Sequence, residues 1–144
     1  MLQCIVVLCG LATSAMADDR PDPTADKERK LLTGLWEFAE PKGGAGGSKF
    51  IAVRADGTYS ALDADRKELW DGTYTLDLRV KPKVFDHNST ARKKRGDPEM
   101  RGIYELDGDT WKLCIREGKE KDRPKEFKAA DGTALVTLKR VKDK

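Results

Sequence analysis

The stretch Gly102-Ile103-Tyr104-Glu105-Leu106-Asp107-Gly108-Asp109-Thr110-Trp111-Lys112-Leu113-Cys114-Ile115 constrains this chain more than any other. It reads as two strands joined by a tight Asp-Gly-Asp turn. Aromatic and β-branched residues stand on both sides of an Asp-Gly pair, and Gly accepts the positive φ that a short hairpin turn demands. Turn signals of the same kind recur at Asp56-Gly57 and Asp131-Gly132.

Strands are predicted over 33–38, 50–54, 58–62, 69–78, 84–86, 102–107, 110–115 and 134–141, with a short extended piece at 126–128. Trp36 and Phe38 fall on one face of the first strand, and Trp70, Gly72, Tyr74 and Leu76 on one face of the fourth. Between strands lie a Gly-rich loop over 41–48, a polar and basic loop over 87–99, and a loop over 118–124. About eight short strands, with turns about every 8 to 12 residues, predict an all-β domain. Such a domain is a small antiparallel barrel or a sandwich, and a closed barrel leaves no exposed sheet edge.

Residues 1–17 carry no charge, hold an apolar run, and end in Ala15-Met16-Ala17 before Asp18-Asp19-Arg20. This is the pattern of a secretory signal peptide cut near Ala17, with export to the periplasm or the extracellular space. No Lys or Arg precedes the apolar run, and the alternative is a buried N-terminal helix. The run is short for a bilayer span, so no transmembrane segment is expected in the mature chain. Residues 18–30, with Pro21 and Pro23, read as a flexible mature N-terminus, although 26–32 suit one or two helical turns. The barrel domain is assigned to 31–144.

Of 144 residues, 37% are charged and 38% hydrophobic, which suits one modest core rather than a large enzyme with a deep site. The net charge of +3, from 28 basic and 25 acidic residues, is nearly balanced and argues neither for nor against a polyanionic partner. Cleavage near Ala17 removes Cys4 and Cys9. Cys114 alone then remains, so no internal disulfide is expected and Cys114 reads as a small core residue.

Several blocks follow one another in a fixed order: Thr33-Gly34-Leu35-Trp36, Lys81-Pro82-Lys83-Val84-Phe85-Asp86, the hairpin from Gly102 to Asp109, Lys112-Leu113-Cys114, Arg123-Pro124-x-x-Phe127 and Leu138-Lys139-Arg140. The first resembles the G-x-W signature of lipocalin-like barrels. The ordered set, covering about residues 30 to 141, resembles an uncharacterised family of small exported domains abundant in planctomycete bacteria. The resemblance implies a lipocalin-like up-and-down barrel and carries over no activity. Residues 87–99 depart from it by being unusually basic.

Sites of familiar chemistry are weak. In Gly43-Gly44-Ala45-Gly46-Gly47-Ser48-Lys49 the hydroxyl precedes the Lys and a strand follows, the reverse of a phosphate loop. His87 is the one histidine. Asp86 and Ser89 lie near it in sequence, but adjacent strand positions face opposite sides, so a catalytic relay is not expected. One His and one mature Cys exclude a structural zinc site, and Asp107-Gly108-Asp109 reads as a turn rather than a calcium loop. No cofactor and no metal are expected.

Arg92, Lys93, Lys94 and Arg95 form the densest basic cluster. They are the candidate anion-contacting loop, against the alternative of a merely solvated one. No aromatic residue interleaves with them, so no nucleic acid partner is expected. Asn88-Ser89-Thr90 matches a glycosylation acceptor, a short motif of little weight. Trp36, Phe38, Trp70, Tyr74, Tyr104 and Trp111 are the candidate ligand-lining or core residues. An eight-stranded barrel is either filled by such side chains or open for one small ligand. The expected function is non-catalytic binding of a small apolar or amphipathic ligand by a monomer. A protein-interaction module, such as an exported enzyme inhibitor acting through its loops, is the alternative, and an enzyme ranks last.

Overall fold

The computed structural model describes residues 23–40 and 43–142. The predicted signal peptide, and residues 18–22 after it, lie outside the described residues. Eight strands follow in sequence order around a closed antiparallel barrel. They are β1 (Gly34–Phe38), β2 (Phe50–Val53), β3 (Thr58–Leu62), β4 (Glu68–Asp77), β5 (Lys83–Ser89), β6 (Met100–Asp107), β7 (Thr110–Glu117) and β8 (Thr133–Arg140). Closure comes from β8 returning to β1, with Trp36 opposite Arg140 and Phe38 opposite Leu138. No helix of the described residues is long and apolar enough to cross a membrane.

The pattern that builds the wall is clearest in β4. Gly72 and Tyr74 are buried and Trp70 half-buried, whereas Asp71, Thr73 and Thr75 between them are exposed. Gly72 is required where it stands. A Cβ there would lie 2.3 Å from the Asn88 carbonyl oxygen and 2.8 Å from the Tyr59 ring. The hairpin of β6 and β7 pairs Asp107 with Thr110, so Gly108 and Asp109 form the loop, and Gly108 takes the positive φ of 56°.

A helix, α1 (Pro23–Leu32), covers one end of the barrel. Pro23 suits the first helical position, where its missing N–H costs nothing. Ala25, Glu28 and Leu32, three and four residues apart, form its buried stripe. The segment expected to be flexible over 18–30 is thus helical from Pro23 onward. The reason is long-range. Glu28 accepts hydrogen bonds from Tyr104 Oη and Lys83 Nζ, both at 2.9 Å.

Two other expectations are corrected. Residues 87–99 are not one loop: 87–89 complete β5, and α2 (Thr90–Arg95) follows. Ser89 caps α2 by accepting from the Arg92 amide, and Gly96 ends it at φ 76°. Residues 126–128 form no strand, and the Phe127 ring lies 5.5 Å from the Lys112 ammonium. β3 keeps the bounds read from the sequence, the other strands differ from them by at most two residues at either end, and β5 extends three residues further, to Ser89.

Candidate functional site

Because the strands alternate in direction, α1 and the turns at 54–57 and 107–110 gather at one end of the barrel. The loop at 43–48, α2 and the segment 118–132 gather at the other. At the α1 end the interior is filled. Trp36 is fully buried, donates from Nε1 to the Leu32 carbonyl at 2.8 Å, and carries the Arg140 guanidinium 4.3 Å from its ring. Arg140 also donates to the carbonyls of Leu31 and Thr33. Tyr74 donates to the Arg54 carbonyl at 2.6 Å.

At the opposite end lies an apolar cavity of about 170 Å³. Phe38, Tyr59, Trp70, Phe85, His87 and Trp111 provide its aromatic walls, with aliphatic side chains from β2, β7 and β8 completing them. Its roof is the turn at Gly44, Ala45 and Ser48. The roof depends on glycine. A Cβ on Gly44 would stand 2.5 Å from Phe38 Cζ, and one on Gly46 would stand 2.8 Å from the Trp70 ring. Ser48 is buried and donates to the Ala45 carbonyl at 2.8 Å, so it is satisfied within the roof itself.

Two polar atoms among these walls have no hydrogen-bond partner: His87 Nδ1 and Trp111 Nε1. Buried polar groups are ordinarily paired, so each such atom calls for a physical account. Trp111 meets Trp36 and Phe85 edge to face, at centroid separations of 5.5 and 5.1 Å. The His87 ring lies 5.5 Å from Tyr59 and 5.6 Å from Phe85. Burial pushes its imidazole down to about 4, and Arg92 adds to this while Asp86 opposes it. His87 is therefore neutral at neutral pH. Burial likewise raises the Tyr59 hydroxyl to about 12.

Asp86 faces the other side of β5, as the two-residue period requires. Between Val84↔Ile103 and His87↔Met100 the β5–β6 ladder is interrupted. There Asp86 accepts from the Gly102 amide at 3.1 Å, from Arg101 at 3.0 Å, and from both terminal nitrogens of Arg123. Burial alone would push the Asp86 carboxyl up, but the bonds from Arg123, Gly102 and Arg101 outweigh it and hold it below the usual range. Arg123 also pairs with Glu120 at 2.8 Å. This cluster borders an external cleft of about 700 Å³ and ties the segment after β7 to the barrel wall. Its charges are already paired, so it reads as a structural lock.

Of the six aromatic candidates, Phe38, Trp70 and Trp111 line the cavity, whereas Trp36, Tyr74 and Tyr104 pack the core at the α1 end. The basic candidates do not converge. Four consecutive residues point around a helix rather than to one side of it. Arg92 bonds Asn88 at 3.1 Å and pairs with Glu117 at 3.2 Å, Lys93 donates to the Thr73 hydroxyl, Arg95 pairs with Asp97 at 3.0 Å, and Lys94 is exposed. Asn88, first residue of the glycosylation motif, is buried. Cys114 is fully buried, 3.7 Å from the Lys128 carbonyl oxygen. Among the described residues no group of three or more His, Cys, Asp or Glu side chains is placed to hold a metal ion. Sequence reasoning weighed His87 as a relay member and as a lone metal ligand, not as a cavity residue, and passed over Tyr59 and Phe85. Their period-two placement was the signal that could have found them. No protein-family model matches this chain, and no curated protein or solved structure is significantly similar to it.

Proposed function

We propose that this protein is an exported, non-catalytic binding domain of lipocalin-like type that holds one small apolar or amphipathic molecule inside its barrel. The observation that carries this reading is the apolar cavity beneath the Gly44–Ser48 roof, about 170 Å³ in volume. An engineered apolar cavity of about 150 Å³ is large enough for benzene, which sets the scale of the guest. Eight strands leave an interior that is either filled by side chains or fitted to one small ligand, and here one half is filled and the other is not. The non-catalytic part of the reading rests on His87, whose ring neighbours are Tyr59 and Phe85 rather than a carboxylate.

Native mass spectrometry of the protein purified from its producing cells tests the proposal. A reproducible added mass the size of a substituted ring, lost on denaturation, is the expected result. A bare chain mass, together with capture of one defined protein through the turn at 43–48 and α2, would transfer the assignment to a protein-interaction module.

A further inference from the structure

The cavity's lining specifies the chemistry of its guest. Among the described residues its walls hold no Lys, Arg, Asp or Glu. A permanently charged guest would find no counter-charge and would bear its full desolvation cost. The walls instead offer the rings of Phe38, Trp70 and Trp111, surfaces suited to offset or edge-to-face contact with another ring. The volume admits about one ring with a small substituent.

Ser48, Tyr59, His87 and the Trp111 indole bring polar atoms to this lining, of which Ser48 is satisfied within the roof and Trp111 Nε1 is enclosed without a partner. His87 reaches the cavity from β5, and its Nδ1 is enclosed with no partner. Nε2 is not among the enclosed, unpartnered atoms, and the ring that carries it lines the cavity. An enclosed N–H without an acceptor is costlier than an unused lone pair. With its proton on Nε2 instead, the neutral ring offers the cavity a hydrogen-bond donor. We propose that the cavity selects a neutral molecule about one aromatic ring in size that bears a hydrogen-bond-accepting oxygen, and that His87 Nε2–H donates to that oxygen. This inference rests on the binding reading above and assigns its ligand class.

Two probes of matched shape separate the inference from that reading: acetophenone, and α-methylstyrene, in which a methylene replaces the carbonyl oxygen. Each is titrated into the full-length protein and into His87→Phe, with dissociation constants taken from ¹H–¹⁵N spectra. The substitution should weaken acetophenone about five- to tenfold, the loss of one hydrogen bond, and leave α-methylstyrene within about twofold. If both probes bind and His87→Phe alters neither, the role of His87 is overturned while the binding reading stands. If neither probe binds the wild-type protein at its solubility limit, both are overturned. Should His87→Phe fail to fold, the ¹⁵N shifts of the wild-type imidazole decide the matter: protonation at Nε2 is expected, and protonation at Nδ1 contradicts the assignment.

Discussion

The two ends of this barrel solve the same packing problem differently. At the α1 end, most polar atoms that enter the interior meet partners, Arg29 Nε being the exception. Trp36 Nε1 finds the Leu32 carbonyl, Tyr104 finds Glu28, and Glu28 finds Lys83. Arg140 covers Trp36 and reaches two carbonyls of the chain leaving the helix. At the roof end the chain leaves a void, closes it with a glycine-rich turn, and leaves His87 Nδ1 unpartnered. Trp111 stands at the boundary, edge to face with Trp36 on one side and with Phe85 on the other. The contrast teaches that filled core and empty space are segregated along the barrel axis. A satisfied, well-filled end holds the wall in shape, and that rigidity lets the other end keep empty space that would otherwise collapse.

The comparison can be broken most forcefully at Trp36. Trp36→Ala should cost about 3–5 kcal/mol, the range for truncating a fully buried Trp. An unchanged urea midpoint would remove the α1 end from its supporting role. The next effect belongs to the roof end and to pH. The folded His87 sits near 4 against an ordinary value of 6.5. The unfolded chain therefore binds the extra proton first as pH falls. Stability is full above about 6.5 and declines between 6.5 and 4, by at most about 3 kcal/mol. Tyr59 and Phe85 face the ring, and the nearby charges are Asp86 and Arg92. Urea titrations at stepped pH should show this decline in the wild type and lose it in His87→Phe. An identical slope in both proteins would assign the acid sensitivity elsewhere.

Smaller changes sharpen the picture. Glu28→Ala leaves the Tyr104 hydroxyl buried without its acceptor and should cost about 1–3 kcal/mol, read as a lower thermal midpoint with probe binding at the roof end unaltered. Gly46→Ala places a Cβ at φ 64° and against the Trp70 ring. Its stability cost should be only about 1 kcal/mol, yet it should shift the Trp70 fluorescence and the dissociation constant of acetophenone. A loss of stability at Gly46 as large as that at Trp36 would erase the distinction between the two ends.

Parts of this arrangement are legible in the sequence because they are set locally. The Asp107-Gly108 turn needs one residue with positive φ, and the alternation of Trp70, Gly72 and Tyr74 needs only a period of two. The short helix after β5 was also locally written, in the cap residues Ser89 and Gly96, but the density of positive charge between them reads first as a loop. The docking of α1 was not legible, because Glu28 and Tyr104 lie 76 residues apart. The division of the aromatic residues into core and cavity wall was hidden for a related reason. It depends on the shear and closure of the barrel, which decide that Trp36 meets Trp111 while Trp70 meets Gly46. Empty space has no residue type, so no pattern announces it.

The most direct test of the two-ended barrel is a benzene titration of the ¹⁵N-labelled protein, followed by ¹H–¹⁵N spectra. Benzene fits the scale of the cavity and makes no hydrogen bond to His87, so it reports on the void alone. Shifts confined to the amides and indoles of Phe38, Trp70, His87 and Trp111, with Leu32 and Tyr104 unmoved, are the predicted result. An unchanged spectrum, or shifts of equal size at both ends, would contradict it.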